Sequence, residues 1–301
     1  MTSKKGLPVL RIIDGIAYRG QPGQQLRVTA HDLGNGHLEL SAVRVTEWKE
    51  LELDAFALQD YLDMLRENEA DPELQAERQA RRVKIAANRA KTKVRRLCKA
   101  LGVTTLLTLT YRANETDLHQ VKKDLKEFNR RMLRVMPEFR FVAGFERQER
   151  GAYHVHMGTA GIPTVFLQKN AAGVPTRVKS FDVIRAVWRS VTKERGGNID
   201  VSRRKRHSTS TPASIAKYLA KYITKEFEDG EKHSNRYTSY GAASAAKGLD
   251  FGKFNTAREA VEFCYSLLSG HVVFDQHFSR WGDWFFMHCE KPLAPSSSAS
   301  T

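Results

Sequence analysis

Between Val103 and Gly158 the spacing of apolar side chains switches from two residues to three or four and back to two, which dictates a sheet with a helix laid against it. Val103, Leu107, Leu109 and Tyr111 share one face of a strand, with Thr104, Thr108 and Thr110 on the other. Leu118, Val121, Leu125, Phe128, Met132 and Met136 then recur at helical spacing, so Asp117–Met136 is expected to be a helix. A second strand carries Phe139, Phe141, Ala143 and Phe145 on its apolar side, with Gly144 and Glu146 opposite. A connection through Arg150-Gly151 leads to a third strand, with Tyr153, Val155 and Met157 on one face and His154, His156 and Gly158 on the other. A Gly/Pro-containing loop follows, then a helix striped by Phe181, Ile184, Val187, Trp188 and Val191, a short strand at Gly197–Ser202 and a further helix. The order is β-α-β-β-α-β-α. The expected class is α+β, a central sheet with helices packed on one face.

The flanks differ from this centre. Leu26, Val28 and Ala30 alternate before Gly34-Asn35-Gly36, and Leu38, Leu40 and Ala42 alternate after it, the pattern of a β-hairpin. From Glu47 to Ala76 there are 10 acidic and 2 basic residues; from Glu77 to Lys99 there are 10 basic and 1 acidic. The second half of the acidic stretch reads as an amphipathic helix. The basic stretch reads as a helix that stops at Leu101-Gly102. After Asp229 a helix is expected near Thr256–Leu268, beside an aromatic cluster of Trp281, Trp284, Phe285 and Phe286. The tail from Pro292 is Pro/Ser/Ala-rich and expected to be disordered. These shifts divide the chain into a β-rich then acidic helical region at 1–75, a central domain at 76–240, a helical and aromatic region at 241–291 and the tail at 292–301.

Composition narrows the function. Lys and Arg exceed Asp and Glu by 15 charges, which favours a polyanionic partner, most often nucleic acid. The concentrated cations are Arg95 and Arg96 on the basic helix and the run Arg203, Arg204, Lys205 and Arg206. Three cysteines without a C-x-x-C pair point to reduced thiols rather than a disulfide framework. No signal-peptide core and no membrane-spanning apolar run is present. The expectation is a protein of the cytoplasm with no membrane partner.

Two elements carry chemistry. Period two puts His154 and His156 on one side of a strand, with Glu146 on the open face of its neighbour, so two imidazoles and a carboxylate can converge on one ion. Such a mixed set suits Mn²⁺, and Mg²⁺ when water completes the shell. The second element is the helix Lys217–Lys225, opened by Thr211 and Pro212 as N-cap and first residue. Ile215, Leu219 and Ile223 form its buried stripe, Tyr218 and Tyr222 lie one turn apart on the flank, and Lys221 and Lys225 each follow a tyrosine by three residues. A phenol becomes a useful nucleophile when a cation favours its ionised form and a metal polarises the phosphodiester it attacks. Tyr218 is then the attacking group and Lys221 the nearby cation. The competing readings are a packing helix with snorkelling lysines, a regulator that only binds nucleic acid, and a metal hydrolase that uses water.

His154-Val155-His156 resembles the His–hydrophobic–His motif of the HUH endonucleases. Tyr218–Lys225 resembles the tandem-tyrosine motif of rolling-circle replication initiators from single-stranded DNA phages and related plasmids. Thr108-Leu109-Thr110-Tyr111 is similar to that family's first motif, and Arg150-Gly151 before the histidines fits its common pattern. The resemblance spans roughly residues 77–240. It implies a central antiparallel sheet, a site-specific single-stranded DNA nickase and strand transferase, a 5′-phosphotyrosine intermediate and a free 3′-OH that primes synthesis. It also implies Tyr218, Tyr222, Lys221 and Lys225 as catalytic residues, and a divalent metal on His154, His156 and Glu146, with Glu149 as the alternative third ligand. The implied partners are a replication origin, a host helicase and a DNA polymerase, in a bacterial host cell. A tandem-tyrosine HUH transposase shares this chemistry.

Overall fold

The computed structural model describes residues 10–14, 16–51, 55–169, 171–203, 212–229, 237–241 and 247–291. The expected N-cap Thr211 and the tail at 292–301 lie outside the described residues. In chain order the fold begins with strands β1 (Leu10–Ile13), β2 (Ile16–Gly34) and β3 (His37–Leu51) and helices α1 (Ala55–Ala70) and α2 (Pro72–Leu101). Next come β4 (Thr105–Tyr111), α3 (Leu118–Val135), β5 (Phe141–Arg147), β6 (Tyr153–Thr159), β7 (Val165–Lys169), β8 (Pro175–Lys179) and α4 (Ser180–Thr192). The remainder is β9 (Gly197–Arg203), α5 (Pro212–Asp229), β10 (Tyr237–Tyr240), β11 (Leu249–Phe254), α6 (Ala257–Ser266), β12 (Val272–Phe278) and β13 (Trp284–Glu290). The class is α+β, as expected. The chain divides into two units, Met1–Ala80 with Ala246–Thr301, and Arg81–Ala245.

The Arg81–Ala245 unit is built on an antiparallel sheet of order β10-β5-β6-β4-β9. Its odd-numbered face is the apolar one expected from alternation. Leu107, Leu109, Phe141, Phe145, Val155 and Met157 are buried there against Leu125, Phe128 and Met132 of α3 and Ile184 and Trp188 of α4. Asp117 caps α3, its carboxylate accepting from the His119 N–H, and Met136 ends the helix. Trp188 Nε1 donates to the Thr110 carbonyl at 2.8 Å, which gives the one polar atom of that ring a partner inside the core.

The helices were expected on one face of the sheet, but they lie on both. Val103 and Val142 belong to a second core with Ile215, Ala216 and Leu219 of α5 and Ala90, Val94, Leu97 and Cys98 of α2. Gly158 is the reason α5 can seat so closely. A Cβ there would lie 3.3 Å from both Ile215 and Leu219 and 3.4 Å from Val103. The stripe on α5 can be read from periodicity, but the face that receives it cannot. Another correction concerns the segment between β6 and α4, expected to be a loop, which contains the β7–β8 hairpin.

The other unit is a sheet of order β1-β2-β3-β13-β12, with β11 also paired to β2. The expected hairpin is present, turning at Asn35 and Gly36, both at positive φ (49° and 77°). The region after residue 241, expected to be helical and aromatic, holds one helix and three strands in this unit, and β13 pairs with β3 along its length. Long-range pairing of this kind leaves no local signature beyond alternation. Thr256 and Glu259 form a capping box at the start of α6. Among the described residues, no helix is long and apolar enough to cross a membrane.

A charged network braces the first sheet. Asp124 is buried and accepts from Tyr111 Oη at 2.8 Å, from Gln120 and from both terminal nitrogens of Arg195 at 2.6 and 2.8 Å; Arg195 also reaches Glu115. Burial opposes ionisation of Asp124, but the hydrogen bonds from Arg195, Tyr111 and Gln120 outweigh it and hold its carboxyl below the usual carboxylate range.

Two outcomes are expected. Gly158→Val should overpack the α5 seam and cost about 1–3 kcal/mol in urea unfolding; an unchanged midpoint would contradict the seating of α5. Asp124→Asn should cost about 3–5 kcal/mol at neutral pH by leaving Arg195 without its buried partner. The folded pKa of Asp124 is depressed, so its stabilisation is present above the unfolded value of about 3.9 and is lost as pH falls through the folded value. The gap between wild type and variant should therefore close on acidification, as read by unfolding curves at pH 7 and pH 3.

Candidate active site

The β5–β6 hairpin builds the first half of the site. Its connection closes through Gly151 N–H to the Gln148 carbonyl and Gln148 N–H to the Ala152 carbonyl, with Gly151 at φ +85°, a conformation that glycine adopts without strain. The resulting register sets Glu146 opposite His154 and Gly144 opposite His156. Thr108 of β4 pairs with His156 on its other side. Ligand atoms of Glu146, His154 and His156 all lie within 4.8 Å of one another, so the residues present fit a single divalent ion. Glu149 sits beyond the strand, lining an open cleft with Gln148 and Arg150 that borders Glu146.

Each imidazole is held from its far nitrogen or its flank. His156, 4% exposed, approaches Glu146 Oε2 at 2.7 Å through Nε2 and Thr108 Oγ1 at 3.1 Å through Nδ1. His154 Nδ1 meets the Gln148 side-chain amide at 3.1 Å, and that amide accepts from Arg150 Nε. A hydroxyl and a carboxamide can each act as donor or acceptor, so both partners can follow the imidazole tautomer when a cation replaces a ring proton. Burial is the main force lowering both histidine pKa values, aided at His154 by His156 and Arg150 and opposed at both by Glu146. The rings are thereby kept neutral, the form that ligates metals.

The second half is α5, which starts at Pro212 as expected for a first-turn proline. With Ile215 and Leu219 buried in the sheet, Tyr222 is carried onto His156, ring centroids 4.2 Å apart and 13° from parallel. Tyr218 meets the same imidazole edge-on at 5.6 Å. Tyr222 Oη donates to Tyr218 Oη at 2.7 Å. The two phenols differ in setting: Tyr218 is 39% exposed and Tyr222 8%. Burial, then the hydrogen bond to Tyr218 and the Glu146 charge, push the Tyr222 phenol well above its ordinary range.

The structure thus brings together Glu146, His154, His156, Tyr218 and Tyr222. Lys221 is exposed on α5. The side chains of Lys225, Ile223 and Arg203 lie outside the described residues, as do Arg204, Lys205 and Arg206 altogether. Arg95 and Arg96 are half-buried, whereas Arg81, Arg82, Lys84, Arg89 and Lys93 are exposed cations on this unit's part of α2. Sequence reasoning missed Gln148 and the role of Thr108 as a support for His156. Their signal was alternation: Gln148 continues the Gly144, Glu146 series, and Thr108 lies on the polar face of its strand.

Comparison with known proteins adds one finding. No curated protein and no solved structure matches the chain. Residues 104–227, less than half of the chain, match the model of a family described as replication-associated protein, of the ORF2 type, and this stretch contains all five residues that converge in the site. The similarity supports a role in DNA replication as an initiator.

Proposed function

We propose that this protein is a metal-dependent, site-specific endonuclease and strand transferase for single-stranded DNA that initiates rolling-circle replication. The observation that carries the reading is the meeting of two tyrosine hydroxyls, 2.7 Å apart, beside an imidazole of a His/His/Glu cluster. A packing helix accounts for buried tyrosines, but not for a second, partly exposed one directed at the same polar cluster.

Glu146, His154 and His156 would hold the ion, and Glu149 is displaced from that role by the hairpin register. When bound, a divalent ion neutralises charge on the scissile phosphate. Tyr218 Oη is the first nucleophile, because it is the more exposed phenol and receives a hydrogen bond that supports negative charge as its proton leaves. A Tyr–O–P bond forms and the P–O3′ bond breaks, giving a 5′-phosphotyrosine and a 3′ oxygen that takes up a proton. The freed 3′-OH primes synthesis. Tyr222 then serves the second transfer that ends a round, attacking a new phosphate while the first 5′ end stays covalently held. Lys221 balances phosphate charge at the exposed side of α5, and Lys225 has the same role one turn on. The basic surface of α2, with Arg95, Arg96 and Arg203–Arg206, supplies backbone contacts to the strand. A host helicase and a polymerase act with it in the bacterial cytoplasm.

Labelled single-stranded origin DNA with Mn²⁺ or Mg²⁺ should give a denaturation-resistant adduct on a gel. Tyr218→Phe should lower first-strand nicking more than Tyr222→Phe, each single variant should fail to release unit-length circles, and the double variant should form no adduct. An adduct in the double variant, or none in the wild type with origin DNA bound, would refute the tyrosine assignment. His156→Ala should reduce cleavage at least 100-fold (about 3 kcal/mol in the barrier) while DNA affinity changes little. Parallel loss of both would contradict a catalytic His156.

A further inference from the structure

A second cluster of metal-ligating groups lies in the other unit, away from the tyrosines. In the antiparallel pairing of β3 with β13, His37 faces Glu290 and Glu39 faces His288. Alternation turns Leu38, Leu40, Met287 and Cys289 into the apolar core on one side of the sheet, so His37 and His288 share the opposite face with Glu290. Both histidines are buried, at 5% and 3% exposure.

Three atoms converge there. His288 Nε2 is 3.4 Å from His37 Nδ1, His37 Nδ1 is 3.5 Å from Glu290 Oε1, and His288 Nε2 is 3.6 Å from the same oxygen. All three separations are longer than the roughly 2.7–3.2 Å at which such hydrogen bonds are best made. They do match the edge of a tetrahedral coordination shell: the centre of such a triangle is about 2.0 Å from each corner, the length of a zinc bond to imidazole or carboxylate. Two nitrogens and one oxygen suit Zn²⁺ or a similar borderline ion rather than Mg²⁺ or Ca²⁺.

We infer that His37, His288 and Glu290 form a second metal site, of the Zn²⁺ class, that ties β3 to β13. Its histidines come from two strands 251 residues apart in sequence, so an ion there closes a very long loop of the unfolded chain. Three protein ligands leave a fourth position for water, one fewer than closed structural zinc sites use. The site is independent of the tyrosine chemistry and stands whether or not the DNA-cleavage reading holds.

The test uses untagged full-length protein carrying His154→Ala and His156→Ala, which removes the other cluster. After chelation, reloading with Zn²⁺ and dialysis, elemental analysis should find one zinc per chain, and none when His288→Gln is added. Saturating Zn²⁺ should raise the thermal midpoint by about 5 °C only where His288 is present. Because His288→Gln can itself fail to fold, Co²⁺ titration of the protein that retains His288 provides a second measurement. Strong visible d–d absorption, the mark of a four-coordinate ion, is expected at one equivalent. Zinc well below one per chain, or a cobalt spectrum of the weak six-coordinate kind, would overturn the site and leave a His–His–Glu contact without an ion.

Discussion

The antiparallel pairing of β5 with β6 is the constraint on which the site depends. Strand side chains alternate strictly, so one choice of register decides at once which residues share the open face and which enter the core. With Glu146 opposite His154, the phenylalanines of β5 and Val155 and Met157 of β6 all bury on the helix α3 side. A slip of one residue would put His154 and His156 into that core and the phenylalanines into solvent. The apolar packing of one face therefore holds the polar geometry of the other, and the hydrophobic effect sets a spacing that three polar groups could not maintain alone.

The open face is only partly open. Helix α5 covers part of it through Ile215 and Leu219, against a sheet position kept free of side-chain bulk by Gly158. That contact sets the rotation of α5, and the rotation brings Tyr222 over His156 and Tyr218 to its edge. Partial burial has an electrostatic result as well. It keeps both imidazoles uncharged in a chain whose net charge is strongly positive, so the ligand cluster is a local exception to the surrounding field.

The second unit follows the same logic with a different closure. Its N-terminal hairpin alone has one apolar face and an exposed β3 edge, and β13, from the other end of the chain, pairs along that edge. Cys264 and Ala260 of α6 pack with Met287 and Cys289 on the apolar side. The price of this arrangement is that the two ends must meet before either is stable, the kind of non-local contact that folds slowly.

Local chemistry determined a large share of this protein. The strand–helix–strand–strand order, the ends of α3 at Asp117 and Met136, the hairpin turn at Asn35-Gly36 and the residues on each strand face can all be read from period and capping. So could the grouping of His154 and His156 on one side of a strand, because two-residue alternation is a property of the backbone and needs no partner. What could not be read was anything set by which surfaces meet. Examples are the second face of the sheet covered by α5, the support of His154 by Gln148, and β13 completing a sheet begun at the N-terminus. The 2.7 Å approach of Tyr218 and Tyr222 beside His156 belongs here too. A helical repeat places two tyrosines one turn apart, but it does not say what lies in front of them. The energy that decides it is buried area between segments distant in sequence, and no local pattern records which apolar stripe of several will fill which face.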